Sequence, residues 1–354
     1  MSTRYVVKPG DTLSKIALAY HLPSYRNIYD DPENKKFKAK HPNPNVIFPG
    51  DVLTIPSPPI LLDPITLTVP NPSITRALDL VYSFAKKQRT VENSRGCFVT
   101  SQGEFSQLHR ATVAAELAER VMDPTKINQG NVGVCVPAAL AYDIAQTRPE
   151  DYVKAVTELF DNGQTTLGKW KLTPNEDLKR YALPKDATIG EADWIIMASV
   201  RDSENWFFDY SSVKGDGGTT SREYKDMLSK AGFTDIQDDN NGSDHEDADN
   251  LKKADELYSK NYHVALWIDA AALDSSLSFA GKSNHAVVLA SNIRTTFSKL
   301  SSPVSMDVFT WGGTKTLPNP GLPTGVDDGR SCRVVPMTLE KFLNYYYGYT
   351  AAKY

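Results

Sequence analysis

The chain has 354 residues, a length that fits two domains better than one. Charged residues make up 23% of it and hydrophobic residues 40%, which is typical of a folded globular protein. A formal net charge of −4 without a long basic run argues against general binding to nucleic acids or anionic membranes. No apolar run reaches the roughly 18–20 residues of a membrane span. Residues 1–8 also lack the apolar core of an ordinary signal peptide.

The first 56 residues read as a small unit with its own core. Residues 5–7 predict a short strand, and residues 9–12 predict a turn that caps a helix with apolar side chains at helical spacing. A second turn at residues 48–51 leads into a predicted strand at residues 52–55.

Both ends of this unit carry a recognisable motif. The sequences Tyr-Val-Val-Lys-Pro-Gly-Asp-Thr-Leu-Ser-Lys-Ile-Ala at 5–17 and Asn-Val-Ile-Phe-Pro-Gly-Asp-Val-Leu-Thr-Ile-Pro at 45–56 resemble the LysM module. The resemblance implies a small βααβ fold that binds peptidoglycan or another N-acetylglucosamine glycan. The residues that it implies for glycan contact lie in the two turns: Gly10, Asp11, Thr12, Pro49 and Gly50.

The middle of the unit is longer than in the commonest LysM repeats. It looks like the single LysM units of phage-tail and type VI secretion proteins, in which the module serves for docking to tail components. Glycan binding and docking therefore both stay open. Pro-rich sequence follows, so we expect a LysM-like module at 1–57, a semi-rigid linker at 58–75 and a large domain at 76–354.

The large domain is expected to mix helices and strands. Residues 112–120 predict an amphipathic helix, and residues 194–200, 263–268, 285–290 and 306–311 predict strands. The acidic segment at 235–249 does not fit a calcium-binding EF-hand loop, so we expect a solvated loop before a helix at 251–258.

Two segments carry candidate chemistry. Cys135 follows a glycine-containing approach and precedes Pro137 and an alanine-rich run, which predicts a thiol at a helix N-terminus, where the helix dipole favours a nucleophilic thiolate. A buried structural cysteine is the alternative. His285 begins a predicted buried strand after a polar loop, and residues 307–313 predict a strand that ends in Trp311 and a glycine turn.

These segments resemble the boxes of papain-type thiol peptidases. The matching sequences are Gln-Gly-Asn-Val-Gly-Val-Cys at 129–135, Asn-His-Ala-Val at 284–287 and Thr-Trp-Gly at 310–312. The resemblance implies an α+β fold with a helical half that carries the cysteine and an antiparallel sheet half that carries the histidine. It also implies that Cys135 is the nucleophile, that His285 is the general base and that Gln129 donates to the oxyanion.

The chain departs from that family at two positions. The orienting asparagine falls on Phe309, so Asp307 on the same strand face is the first substitute and Thr310 is the second. Val132 stands where the family has a cysteine, so its usual disulfide is absent. Whether Cys97 and Cys332 pair with each other after export stays open. No spacing typical of a metal site occurs, and no cofactor is expected.

The combined resemblances suggest an antibacterial effector toxin. We expect it to be made in a bacterial cytoplasm without a signal peptide and exported by a type VI or related contractile system. Its expected substrate is an amide bond of peptidoglycan peptides or of a cytosolic protein of the target cell. Its expected partners are tail components and an immunity protein. A non-catalytic cell-wall or baseplate binding protein with a degenerate papain fold is the alternative.

Overall fold

The structure is a computed structural model of the 354-residue chain. It describes residues 3–8, 11–13, 16–17, 25–44, 46–56, 71–87, 89–92, 98–101, 103–130, 132–184, 187–204, 219–240, 244–274, 277, 280–318 and 337–354. In the described residues, no helix is long and apolar enough to cross a membrane.

The N-terminal unit is a two-stranded antiparallel sheet with short helices. Strand β1 (Thr3–Val6) pairs with β2 (Val52–Ile55), and helices α1 (Arg26–Tyr29) and α2 (Lys35–Lys40) lie between them in the chain. The buried apolar residues of this unit pack into one cluster: Val7, Leu13, Ile16, Ala17, Ile28, Tyr29, Phe37, Leu53 and Ile55. Among the described residues, the buried members of this cluster all lie between residues 7 and 55.

The helices of the large domain begin within the predicted linker. Helix α3 (Pro72–Lys86) starts at Pro72, with the Asn71 side chain accepting a hydrogen bond from the Ser73 N–H as its cap. The expected linker over 58–75 is therefore wrong at its last four residues, while residues 57–70 lie outside the described part of the chain.

Further helices follow along the chain. They are α4 (Arg110–Met122), α5 (Cys135–Thr147), α6 (Pro149–Asn162), α7 (Glu176–Arg180), α8 (Glu191–Glu204), α9 (Ser221–Lys230), α10 (Ala248–Ser259) and α11 (Leu339–Leu343). Two small antiparallel hairpins accompany them, β3 (Arg89–Glu92) with β4 (Phe98–Ser101) and β5 (Thr165–Leu167) with β6 (Trp170–Leu172).

A six-stranded antiparallel sheet forms the other half of the large domain. Its strands are β7 (Thr234–Asn240), β8 (His263–Ile268), β9 (His285–Leu289), β10 (Met306–Thr310), β11 (Gly313–Leu317) and β12 (Tyr346–Lys353). They lie in the order β11-β10-β9-β8-β12-β7. The chain is thus a mixed helix-and-strand protein, and the strand pairs of this sheet are antiparallel.

Two elements differ from the sequence prediction. Residues 234–240 form the edge strand β7 and not an acidic loop, because a strand at the sheet edge tolerates charged side chains. Residues 194–200 lie in helix α8 and not in a strand. That helix is buried on all sides from Ala192 to Asp202, so its sequence lacks the polar face that marks a surface helix.

The two faces of the sheet pack against different partners. Ala286, Val288 and Phe309 belong to the large cluster that contains the helices from α3 to α9. Their strand neighbours Val287 and Val308 pack on the opposite face, in the cluster that contains α10. Successive strand residues point to opposite faces, so each position along β9 and β10 has a fixed side.

Helix α5 is fastened to the sheet well beyond its first turn. The Asp143 carboxylate, which is 1% exposed, lies 2.8 Å from His263 Nδ1 and accepts a hydrogen bond from the Tyr224 hydroxyl at 3.0 Å. The preceding residue of α5, Tyr142, stacks on Phe309 of β10 with ring centroids 3.9 Å apart and planes 3° from parallel. Strand β10 and helix α5 are therefore held in one relative position.

Candidate active site

Cys135 is the first residue of α5, as the sequence predicts. It is a partly exposed free thiol that packs against the large apolar cluster. Burial raises the pKa of this thiol, and the backbone N–H groups of Ala286, Val136 and Cys135 itself offset only part of that rise. The net direction is upward, so the thiol at rest is neutral and not the thiolate that the helix N-terminus suggested.

His285 is the first residue of β9 and is 5% exposed. Its Nε2 lies 2.7 Å from Thr310 Oγ1, and its ring stacks on Trp311 with centroids 4.8 Å apart. Burial, followed by the nearby positive charge of Lys315, lowers the pKa of the imidazole to about 4. The ring is therefore a neutral base at physiological pH.

Asp307 is placed away from this imidazole. Its carboxylate is bound by Arg294 at 3.0 and 3.3 Å and by the Thr316 hydroxyl at 3.0 Å. Because Asp307 and Thr310 point to opposite faces of β10, only Thr310 can share the face of His285. The first substitute for the orienting asparagine is therefore wrong in this structure, and the second, Thr310, makes the contact.

The thiol and the imidazole lie at the same end of β9 without bonding to each other. The Ala286 N–H, which influences the thiol pKa, belongs to the residue next to His285. Within the described residues, the only hydrogen bond of the His285 ring goes to Thr310. The contact with the Ala286 N–H therefore places the thiol beside the backbone of the residue that follows His285.

Gln129 lies in a tightly held loop before Cys135. Its side-chain Nε2 donates to the Val132 carbonyl oxygen at 3.2 Å, which leaves the second amide hydrogen for another acceptor. The neighbouring Asn128 Oδ1 accepts the Gly130 N–H at 2.8 Å. Gly130 has φ +60°, and a Cβ there would meet the Ile189 backbone nitrogen at 2.5 Å, so a glycine is required.

A buried ionic cluster anchors the same loop. Asp193 receives the Arg120 guanidinium at 2.8 and 3.2 Å and also accepts the Asn128 N–H at 3.1 Å. Glu116 accepts the Ala192 N–H beside it, and burial raises the pKa of Glu116 to about 7. Sequence reasoning missed this cluster because its members come from two distant helices and no motif links them.

The β10–β11 turn contacts the loop of Gln129 from the other side. Trp311 and Gly312 have φ +45° and +75°, and a Cβ on Gly312 would meet the Asn128 side chain at 2.6 Å. The turn that positions Trp311 over His285 therefore abuts the loop that carries the expected oxyanion donor. Trp311 thus covers one side of the imidazole ring.

The residues implied for glycan contact are only partly described. Gly10 lies outside the described residues. The Asp11 carboxylate accepts hydrogen bonds from the Tyr5 hydroxyl and the Lys8 N–H, both at 2.7 Å, so it stabilises its own turn. Thr12 accepts the Ile16 N–H through its carbonyl oxygen. Pro49 and Gly50 form an exposed turn with Gly50 at φ +94°.

Two further expectations concern metals and disulfides. Across the described ranges, no group of three or more His, Cys, Asp and Glu residues is placed to hold a metal ion. Cys97 and Cys332, whose pairing the sequence leaves open, both lie outside the described residues.

Comparison with known proteins identifies only the N-terminal module. Residues 5–26 match the LysM domain family, and this match suggests binding to peptidoglycan or another N-acetylglucosamine glycan. No curated protein matches the chain, and no solved structure matches it. The large domain therefore has to be interpreted from its own residues.

Proposed function

We propose that the large domain is a cysteine hydrolase that cleaves an amide bond through a thioester acyl-enzyme on Cys135. The observation that carries the proposal is the arrangement at the end of β9. There the Cys135 thiol lies beside the backbone of Ala286, while Thr310 and Trp311 hold the imidazole of His285. A buried structural cysteine would require no oriented imidazole next to it.

The proposed reaction begins from a neutral pair. Nε2 of His285 is engaged by Thr310, so Nδ1 is the atom left to take the thiol proton. The sulfur then attacks the substrate carbonyl carbon, and the backbone N–H of Cys135 and the amide of Gln129 donate to the oxyanion. The imidazolium gives its proton to the leaving amine as the thioester forms, and water hydrolyses the thioester in the second half.

The LysM module supplies the location of the proposed enzyme. A glycan-binding module would concentrate the hydrolase on peptidoglycan, whose stem peptides contain amide bonds. We propose on the same grounds that the protein is an antibacterial effector exported by a type VI or related contractile system and neutralised by an immunity protein in the producer. Cleavage of a cytosolic protein of the target cell is the alternative within the same chemistry.

Digestion of purified sacculi tests the peptidoglycan substrate. The wild-type protein should release peptide fragments detectable by mass spectrometry, and Cys135→Ser should release none, because the less acidic hydroxyl is a poor nucleophile beside a weakly basic imidazole. Absence of fragments with the wild-type protein would refute this substrate. In that case, the intracellular alternative would be identified if the wild-type protein is toxic when it is expressed in the cytoplasm of a sensitive bacterium but not in its periplasm, and if Cys135→Ser is not toxic in either compartment.

A second function, non-catalytic binding, is favoured by one observation. In the described part of the chain, the His285 ring hydrogen-bonds to Thr310 and not to the Cys135 thiol, which is what a site that has lost its activity would show. Sacculus pull-down with equal binding by wild type and Cys135→Ser, combined with no toxicity of either in any compartment, would support it.

A further inference from the structure

Lys315 presents a positive charge next to the candidate catalytic histidine. It is an exposed residue of β11, and its Nζ lies 4.5 Å from the centroid of the Trp311 ring. Trp311 in turn stacks on His285. The ammonium, the indole and the imidazole thus form a continuous series at one edge of the sheet.

Strand register gives Lys315 the same side of the sheet as the imidazole. Lys315 lies opposite Val308, and Thr310 lies opposite Gly313. Directly opposed residues of an antiparallel pair share a face, so Lys315 projects to the face of Val308 and Thr310. That is the face from which Thr310 contacts His285.

The ammonium of Lys315 has no anionic partner in the described part of the chain. The described contact of this ammonium is with the face of Trp311, whereas Arg294, in the connection between β9 and β10, is paired with Asp307. The charge acts on the site all the same, because it contributes to lowering the pKa of His285. An uncompensated cation next to a neutral base attracts anionic ligands to that base.

We propose that Lys315 forms a carboxylate-binding subsite beside the imidazole of His285, so that the preferred substrate carries a carboxylate close to its scissile amide. This inference rests on the proposed hydrolase function and specifies its substrate class. Stem peptides of peptidoglycan and acidic segments of proteins both present such carboxylates, so carboxylate recognition is the shared chemistry. Trp311 provides a flat wall against which the chain between the carboxylate and the amide can lie.

Charge-selective alkylation tests the subsite without a substrate. The rates of Cys135 modification by iodoacetate and by iodoacetamide are measured by peptide mapping, and their ratio isolates the effect of the reagent's carboxylate. Lys315→Gln should lower this ratio roughly two- to fivefold, as expected for one exposed charge interaction, and Lys315→Glu should lower it further. Lys171→Gln, which removes an exposed lysine from β6, is the matched control and should leave the ratio unchanged.

An unchanged ratio in Lys315→Gln and Lys315→Glu would overturn the subsite. Because Lys315 is exposed, both variants are expected to fold, and urea denaturation checks this. The iodoacetamide rate alone reports on the thiol and serves as the internal reference for each variant.

Matched substrates test the same inference in catalysis. Stem peptides and all-L acidic peptides are each compared with a version whose carboxylate is converted to the carboxamide. The carboxylate form of one or both series should be cleaved faster, and Lys315→Gln should remove that advantage. Equal cleavage of acid and amide forms would refute the subsite. Absence of any cleavage together with a shifted alkylation ratio would refute the hydrolase and leave the carboxylate site in place.

Discussion

Replacement of Thr310 by valine is the sharpest test of the candidate site. Valine has nearly the shape of threonine and lacks the hydroxyl that lies 2.7 Å from His285 Nε2. Both residues are buried, at 3% and 5% exposure, so water cannot readily replace the lost partner. Leaving a buried polar group without its partner costs about 1–3 kcal/mol.

The same loss should slow reactions of the thiol. In the proposed reaction, Thr310 stabilises the imidazolium that forms when His285 takes the thiol proton more strongly than it stabilises the neutral ring. Its removal should therefore raise the barrier by the difference, about 1–2 kcal/mol. That corresponds to a fall of about 5- to 30-fold in rate. The assay is alkylation of Cys135 by iodoacetamide at pH 7, quantified by peptide mapping, with urea unfolding as the measure of stability.

Two control variants separate chemistry from packing. Thr310→Ser keeps a hydroxyl and should restore most of the alkylation rate, although it loses a methyl group. Asp307→Asn should leave the rate within twofold, because Asp307 is bound to Arg294 and Thr316 and not to His285. A Thr310→Val protein that is destabilised but alkylated at the wild-type rate would show that Thr310 serves packing alone. Such a result would refute its orienting role.

The remaining predictions concern pH and the buried ionic cluster. Because the pKa of Cys135 is raised above its ordinary value of 9.0, the rate of iodoacetamide labelling should rise further between pH 8 and 10, where the neutral thiol ionises; a rate that is already constant over that range would indicate a preformed ion pair with His285 instead. Burial raises the pKa of Glu116 in the folded state from 4.5 to about 7. The contribution of this carboxyl to the stability of the fold is therefore fully present below pH 4.5 and is lost as the pH rises through 7. In urea denaturation, the free energy of unfolding of Glu116→Gln should therefore exceed that of the wild type by up to about 3 kcal/mol at pH 8 and by little at pH 4.5. An equal difference at both pH values would contradict this prediction. Asp193→Ala should lower the free energy of unfolding by about 3–5 kcal/mol in the same assay, because it leaves the buried Arg120 charge without its main partner. A decrease below 1 kcal/mol would contradict the pairing.

Local signals predicted the two ends of the candidate site well. Glycines before Cys135 and Pro137 after it favour a loop followed by a helix, and the helix begins at Cys135. The apolar run after His285 predicts a buried strand, and β9 begins at that residue. Both signals lie within a few residues of the group that they position, so no long-range contact is needed to interpret them.

The orienting residue could not be chosen from sequence alone. Alternation along β10 gives Asp307 and Phe309 one face and Thr310 the other, but only strand pairing shows which face His285 occupies. Phe309 stacks on Tyr142 of α5, so the face of Asp307 is the one that packs against the helices near that stack. The polar group for the imidazole therefore comes from the next position along the strand.

The supporting cluster behind the Gln129 loop left no sequence signal. Arg120 and Asp193 are 73 residues apart, and neither lies in a motif that would link it to the other. The same all-round burial led residues 194–200 to be predicted as a strand. Periodicity identifies half-buried elements and is uninformative for elements that are buried on every side.

The two attachments of α5 have a consequence for how the site must close. Asp143 lies eight residues after Cys135, about 12 Å along the helix axis, and is bound by His263 and Tyr224. With Tyr142 stacked on Phe309 next to it, the helix can neither slide nor turn without breaking buried contacts. In the proposed reaction, the movement that brings the sulfur to the imidazole then comes from rotation of the Cys135 side chain and not from movement of α5. The proposed nucleophile would thus be carried on a backbone that does not shift when substrate binds.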